Sequence, residues 1–308
     1  GIFLFGLLCL SAFVQTSYSL PIKADVFTVR NVEVNEKAPN ELTAKSKALA
    51  AGQRTALSLL LRRITMISDH DRLPTADNQL VAELVRDFSV SGEKFGGGRY
   101  LGNLSVRFRS KAVRSLLEKM EIPFAETMSR PLVILPVLVE GDNQLLWDET
   151  NSWFDSWGEY VRLDGLLPLV VPHRELSDIS LISAEQASSG DLAGLRAVSE
   201  KYKTRGVLIA IAQFSTIPER GVQRVEIKLI SFGKNNRLDE KLFAYESQTE
   251  MSQTDFQKQV VLAQIQQLEE DWKQANLLSG GTNNTVTAVV PAERLSDWLE
   301  IKKRLSRV

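Results

Sequence analysis

The sequence predicts a mixed α+β and α/β protein: a small antiparallel sheet with helices on one face, then an α/β sandwich with a mixed sheet. Three observations carry this. From Tyr100 the even positions Tyr100, Leu104, Val106 and Phe108 are apolar and the odd positions Asn103, Ser105, Arg107 and Arg109 are polar. That alternation marks a strand with one wet face. "PLVILPVLV", residues 131–139, is a nearly continuous apolar run of the kind found in a buried central strand. After it, strands and helices alternate, with one hairpin pair. The expected divisions are 1–19 as a signal segment, 24–128 as a small β-α-α-β-β-α domain, and 131–308 as the α/β domain.

The first domain opens with "ADVFTVRNVEVNE", residues 24–36. Val26, Phe27, Val29, Val32 and Val34 are strand-forming types. Their apolar parity changes between Val29 and Val32, so a bulge is expected near Arg30–Asn31. "APN" ends the strand, and Asn40 is placed to cap a helix. In that helix Leu49, Leu57, Leu60 and Ile64 form one stripe at 3.6 residues per turn. Ala44, Ala48, Gly52 and Ala56 form a ladder of small residues bordering it. Small side chains let a helix backbone approach a sheet closely. A membrane helix seam also uses such ladders, but this helix carries too many charges for one. A polar break with Pro74 leads to a short helix expected over 77–88. "GGG" at Gly96–Gly98 reads as a hairpin connection, because a strand follows it where a phosphate loop needs a helix. "SKAVRSLLEKMEI" closes the domain as an amphipathic helix.

In the second domain the expected order is helix at about 149–160, "LLPLVVP", helix at about 184–202, and strands "GVLIAIAQF", "QRVEIKLISF" and "EKLFAYESQ". Helix 253–277, strand "NTVTAVV" and helix 292–305 follow. "GKNNRLDE" reads as a hairpin turn.

Bulk composition narrows the function. With 44% hydrophobic and 24% charged residues, the 308-residue chain has the balance of a globular protein. A net charge of −1 lacks the basic excess of a dedicated nucleic-acid binder. Residues 2–14 form an uncharged apolar run of signal-peptide length, followed by the small-x-small site "SYS" at Ser17–Ser19. This predicts export through a cleaved signal whose true start lies outside the sequence. The alternative is an uncleaved inner-membrane anchor. The chain end at "WLEIKKRLSRV" is likewise expected to continue. Cys9 is the only cysteine and sits inside the apolar run. The mature chain is then expected to lack thiols and disulfides, which suits a periplasm. No later segment has the length of a membrane span.

No motif specifies a catalyst, a cofactor or a metal. His70 and His173 are the two histidines, and neither has a ligand partner at metal-site spacing. The richest patch is "LLWDETNSWFDSWGEYVRLDG", residues 145–165. It gathers Trp147, Trp153 and Trp157 with Asp148, Glu149, Asp155, Glu159 and Asp164. Trp153 and Trp157 share a helix face, where they can cap the core of a sheet. Exposed instead, Trp147, Asp148, Trp153, Trp157 and Asp164 form a candidate platform for a sugar or peptide. A glycosidase would further need two carboxylates at a set separation. "VPHRELSDIS", residues 171–180, is the second patch. His173 and Asp178 could act as a base and its orienter. With no nucleophile in view, it reads as a loop entering a short helix.

"FTVRNVEV", "KALAAGQRTALSLLLRRIT", "LSVRFRSKAVRSLLEKMEIPFAE", "RPLVILPVL", "LWDETNSWFDSW" and "DGLLPLVVPHRELSD" together resemble the exported bacterial proteins of domain-of-unknown-function family 2066. The resemblance runs from about residue 24 to the end. Family members often have glycine or aspartate after the "VP" turn, where this chain has His173 and Arg174. The resemblance implies an envelope location in Gram-negative bacteria and brings no catalytic residues. The second domain is also similar in element order to the amino-terminal domain of the Tol propeller protein, a binding and assembly module. The expectation is thus a periplasmic, non-enzymatic module with an envelope protein as partner. The alternative is a glycan or cell-wall binder, or a hydrolase, using the tryptophan patch.

Overall fold

In the computed structural model, residues 25–161, 165–233, 238–248, 250–278 and 298 are described. The expected signal lies outside them, as do "NTVTAVV" and, apart from residue 298, the helix over 292–305.

Strand β1 (Thr28–Lys37) lies at one edge of a three-stranded antiparallel sheet of order β1-β3-β2. Its register against β3 (Arg99–Phe108) shifts between Val29 and Val32, and Asn31 takes φ 57°. The extra residue restores inward parity, so Val29, Val32 and Val34 all reach the core. Asn40 caps α1 (Glu41–Ile64) by accepting from the Thr43 backbone N–H at 2.8 Å. The ladder Ala44, Ala48, Gly52 and Ala56 is buried against this sheet. A Cβ placed on Gly52 would lie 2.6 Å from Val34 Cγ1 and 3.0 Å from Leu104 Cδ2. At Gly52 helix and sheet therefore leave no room for a side chain, and the buried alanines of the ladder pack against the same sheet.

The helix expected over 77–88 ends early. Helix α2 is Asn78–Leu84, and β2 (Val85–Gly96) follows directly. Val85 and Phe88 satisfy either pattern locally. Pairing of Val85 with Phe108 and of Phe88 with Val106 draws them into the sheet. The β2–β3 hairpin turns at Gly97 and Gly98, φ 58° and 72°, as a turn with two left-handed central residues demands. Helix α3 (Ser110–Lys119) completes the first domain.

The second sheet has the order β5-β4-β7-β8-β9, with β6 also on β4. Central β4 (Leu132–Glu140) runs parallel to β6 (Leu169–Val170) and β7 (Val207–Ile217), and antiparallel to β5 (Asn143–Leu145). Strands β8 (Val222–Phe232) and β9 (Leu238–Glu246) continue antiparallel, giving the expected mixed sheet. Residues 234–237 of the β8–β9 turn lie outside the described residues. One face of the sheet packs on α4 (Ser152–Tyr160) and α8 (Gln253–Ala275), through Ile134, Leu138, Ala210 and Ile227. The other packs Val133, Leu135, Val137 and Ile209 against α6 (Ala184–Ser189) and α7 (Leu192–Lys201). The single helix expected at 184–202 is thus two. Gly190 at φ 76° ends α6, and Asp191 caps α7 by accepting from Gly194 N–H at 3.0 Å. A short helix α5 (Leu176–Ile179) precedes them.

The C-terminal half of α8 reaches back to the first domain. Lys273 Nζ donates to the Thr65 carbonyl at 2.8 Å, and Trp272 Nε1 to the Thr127 carbonyl at 2.7 Å. Glu270 pairs with Lys273 and also accepts from Ile67 N–H at 3.0 Å. Lys273 is only 4% exposed, so its bond to Thr65 is buried, while the Trp272 and Ile67 bonds lie at the surface. No helix among the described residues is long and apolar enough to cross a membrane.

Candidate functional site

The tryptophan patch does not assemble into a platform. Trp153 and Trp157 are fully buried on the α4 side of the second sheet, their rings edge-on at 5.7 Å. Trp153 Nε1 donates to the Ala210 carbonyl on β7 at 2.9 Å. Trp147 belongs to the opposite core, beside Phe154, and donates to the Ile182 carbonyl at 2.7 Å. The three rings are thus split between the two faces of one sheet, and the N–H groups of Trp147 and Trp153 are met inside. Trp157 Nε1 alone meets no acceptor among the described residues. Asp148 is exposed on the preceding loop. Asp164 lies outside the described residues. Asn151 organises the turn into α4. Its side-chain amide donates to the carbonyls of Pro136, Leu145 and Leu146, while its oxygen accepts from Phe154 N–H.

The second patch is reorganised. His173 is exposed and does not bond Asp178. Asp178, 1% exposed, instead accepts from Lys201, from the Tyr202 hydroxyl at 2.8 Å and from Glu175 N–H at 3.0 Å. Burial opposes its ionisation, yet the hydrogen bonds from Lys201 and Tyr202 outweigh it and hold the carboxyl below its usual range. Burial, with the bond to Asp178, pushes the Tyr202 hydroxyl up to about 12. This arrangement clamps α5 onto α7. Arg174 takes φ 57°, a backbone region that favours glycine, and stacks on Phe154 at 4.0 Å while pairing with Asp155. Lys201 and Tyr202 escaped the sequence reading because they lie on a separate helix with no local signal linking them to Asp178.

A third surface stands out from geometry. Helices α6 and α7 cover the sheet over β4 and β7 and reach Ile230 and Phe232 of β8, but they leave the face around Lys228 and Leu242 open. There Leu242 is 79% exposed. It lies in one cross-strand row with Lys228 and Ile211, and the next row holds Ala244, Glu226 and Gln213. Val139, Ile211 and Leu242 help line a shallow cavity of about 420 Å³. Strand β9 pairs with β8 along one edge, and its outer edge has no strand partner among the described residues. Asp239, Glu240 and Lys241 charge the first half of that edge. Leu242, Phe243, Ala244 and Tyr245 make the second half apolar. Charges suppress unwanted strand pairing, so the uncharged half is where an added strand can dock. The sequence showed β9 as a strand, but its position at the sheet edge is a fact of topology.

Among the described residues no three His, Cys, Asp or Glu side chains gather as a metal site. No family model matches the chain, and no curated protein matches it.

Proposed function

We propose that this chain is an exported bacterial envelope protein acting as a binding module, with a protein partner that adds an extended segment to β9. The observation that carries the reading is the uncharged outer edge at Leu242–Tyr245, with Leu242 and Ala244 also lining a cavity on the adjoining face of the sheet. In strand addition, main-chain hydrogen bonds supply affinity and pockets for alternate side chains supply selectivity. β9 offers both. The apolar run and small-x-small site at the amino terminus support export, and the resemblance to family 2066 supports an envelope location. Burial of Trp153 and Trp157 removes the main support for a glycan platform.

The test is in-cell photocrosslinking of the full-length, tagged protein with the crosslinker at position 242, compared with Ala244→Lys. Crosslinks to one extended segment of one envelope protein, lost in Ala244→Lys with circular dichroism unchanged, are the expected result. Crosslinks within the chain itself, cell-wall fragments alone, or no product would overturn the reading.

A further inference from the structure

A larger cavity of about 730 Å³ opens beside the segment 128–132 that joins the two sheets, at the N-terminal ends of β4 and β7 and against the C-terminal half of α8. Its volume suits a small organic molecule, and domain junctions are favoured places for such sites. Leu132, Leu167, Leu208, Phe232 and Leu268 supply apolar wall. Two guanidinium groups, Arg205 and Arg130, are the cations lining it.

Arg205 is the informative group. It lies between α7 and β7, two residues before Val207, and its backbone N–H is fixed to the Pro131 carbonyl at 2.9 Å. Its guanidinium lies over the Trp272 ring, 4.9 Å from the centroid. It is half-buried, yet it has no carboxylate or carbonyl acceptor for its side chain among the described residues. Burial alone acts on it and disfavours its charge. A partly desolvated guanidinium normally takes a carboxylate or phosphate through paired N–H bonds. Here the two carboxylates of the cavity are otherwise placed. Asp271 is held by Lys241 at 2.6 Å and Gln267 at 2.8 Å. Asp239 is exposed at the mouth.

The geometry points to a binding site for an organic monoanion: a carboxylate on Arg205, carried by an apolar body that fills the leucine- and phenylalanine-lined interior. A monoanion suits the site better than a phosphate dianion, because Asp239 and Asp271 offset Arg130 and Arg205 and leave little net positive charge on the wall to hold two negative charges. The Trp272 ring holds the guanidinium by a cation–π contact, which uses none of its N–H donors. The carboxylate can belong to a free acid or to the C-terminus of a peptide. This site is separate from the β9 edge and stands independently of it.

The test is isothermal titration calorimetry on the full chain with octanoate, octanol, inorganic phosphate, and an apolar tripeptide as its acid and as its amide. Saturable binding of octanoate or the peptide acid, without binding of the octanol or amide counterpart, is expected. Whichever acid binds identifies the source of the carboxylate. Arg205→Gln should weaken that binding by about tenfold to a hundredfold, the worth of hydrogen bonds to a charged group. Arg205→Lys should recover part of it. Thermal unfolding of each variant shows whether the fold is kept. Phosphate binding as well as the acids, binding untouched by Arg205→Gln in a folded variant, or no binding by either acid would overturn the site and leave Arg205 as a seam contact. If Arg205→Gln does not fold, the acid-against-neutral comparison on the parent protein still decides.

Discussion

Alanine at Gly52 and alanine at Gly158 should shift stability in opposite directions. Both glycines lie within helices, α1 and α4. Considered alone, each helix gains about 1 kcal/mol from the change, through lower backbone entropy in the unfolded chain. The surroundings differ. A methyl at Gly52 falls 2.6 Å from Val34 Cγ1 and 3.0 Å from Leu104 Cδ2, closer than van der Waals contact allows. Val34 is a buried β-branched residue on β1 with one stiff rotatable bond, so it yields mainly by moving its strand. Overpacking of this kind costs about 1–3 kcal/mol. Set against the helix gain, Gly52→Ala should destabilise by about 1 kcal/mol. A methyl at exposed Gly158 meets nothing within 4 Å. Gly158→Ala should therefore stabilise by about 0.5–1 kcal/mol. Chemical denaturation of the full chain separates the two, because all five tryptophans lie at or beyond residue 147. Trp147, Trp153 and Trp157 make fluorescence follow mainly the second sheet, although Trp272 also touches the first core, and far-ultraviolet circular dichroism follows both. Gly52→Ala should lower the circular-dichroism midpoint, and Gly158→Ala should raise the fluorescence midpoint. A Gly52→Ala protein as stable as its parent would refute the close-approach reading of the small-residue ladder.

Three further predictions concern the second domain and the seam. Trp153→Phe should cost about 1 kcal/mol more than Trp157→Phe in denaturation midpoints. The first removes a met hydrogen bond to Ala210, the second an indole N–H without an acceptor among the described residues. Asp178→Asn should destabilise by about 2 kcal/mol at neutral pH, less than a fully buried pair because Lys201 is a quarter exposed. Since the folded-state pKa of Asp178 is depressed, its contribution is present above the ordinary carboxylate range and fades as pH falls through the folded value. The parent should accordingly lose stability on acidification, and the variant should show a flatter acid limb in pH-dependent unfolding. Lys273→Met should leave the Thr65 carbonyl and Glu270 without their shared cation. The circular-dichroism and tryptophan transitions should then separate, and coincident transitions would count against α8 as the link between domains.

Much of the architecture was legible in the chain. The change of apolar parity between Val29 and Val32 announced the bulge, and Asn40 before an apolar-periodic run announced the cap. The glycines at 96–98 announced the hairpin. Each of these signals works within one turn of helix or a few residues of strand, so the surrounding fold need not be known to read it. The buried run 132–138 marked the central strand for the same reason: a strand covered on both faces has no polar side to show.

Other features depended on which distant elements meet. Val85 and Phe88 suit a helix or a strand equally, and pairing with Phe108 and Val106 decided between them. The three nearby tryptophans could have formed an exposed platform. The crossing of α4 over β4 and β7 placed Trp153 and Trp157 in one core and Trp147 in another. Asp178 found Lys201 and Tyr202 only because α7 returns beside α5. The sequence by itself determined most of the elements, their order and the division into two sheets, since periodicity, caps and turns act locally, while strand pairing decided where α2 gives way to β2. Tertiary structure alone decided the fate of the tryptophans and, among the described residues, the outer edge of β9 without a strand partner and Arg205 without an acceptor. Exposure and partnership are properties of contacts between residues far apart in the chain, and local pattern carries no record of them.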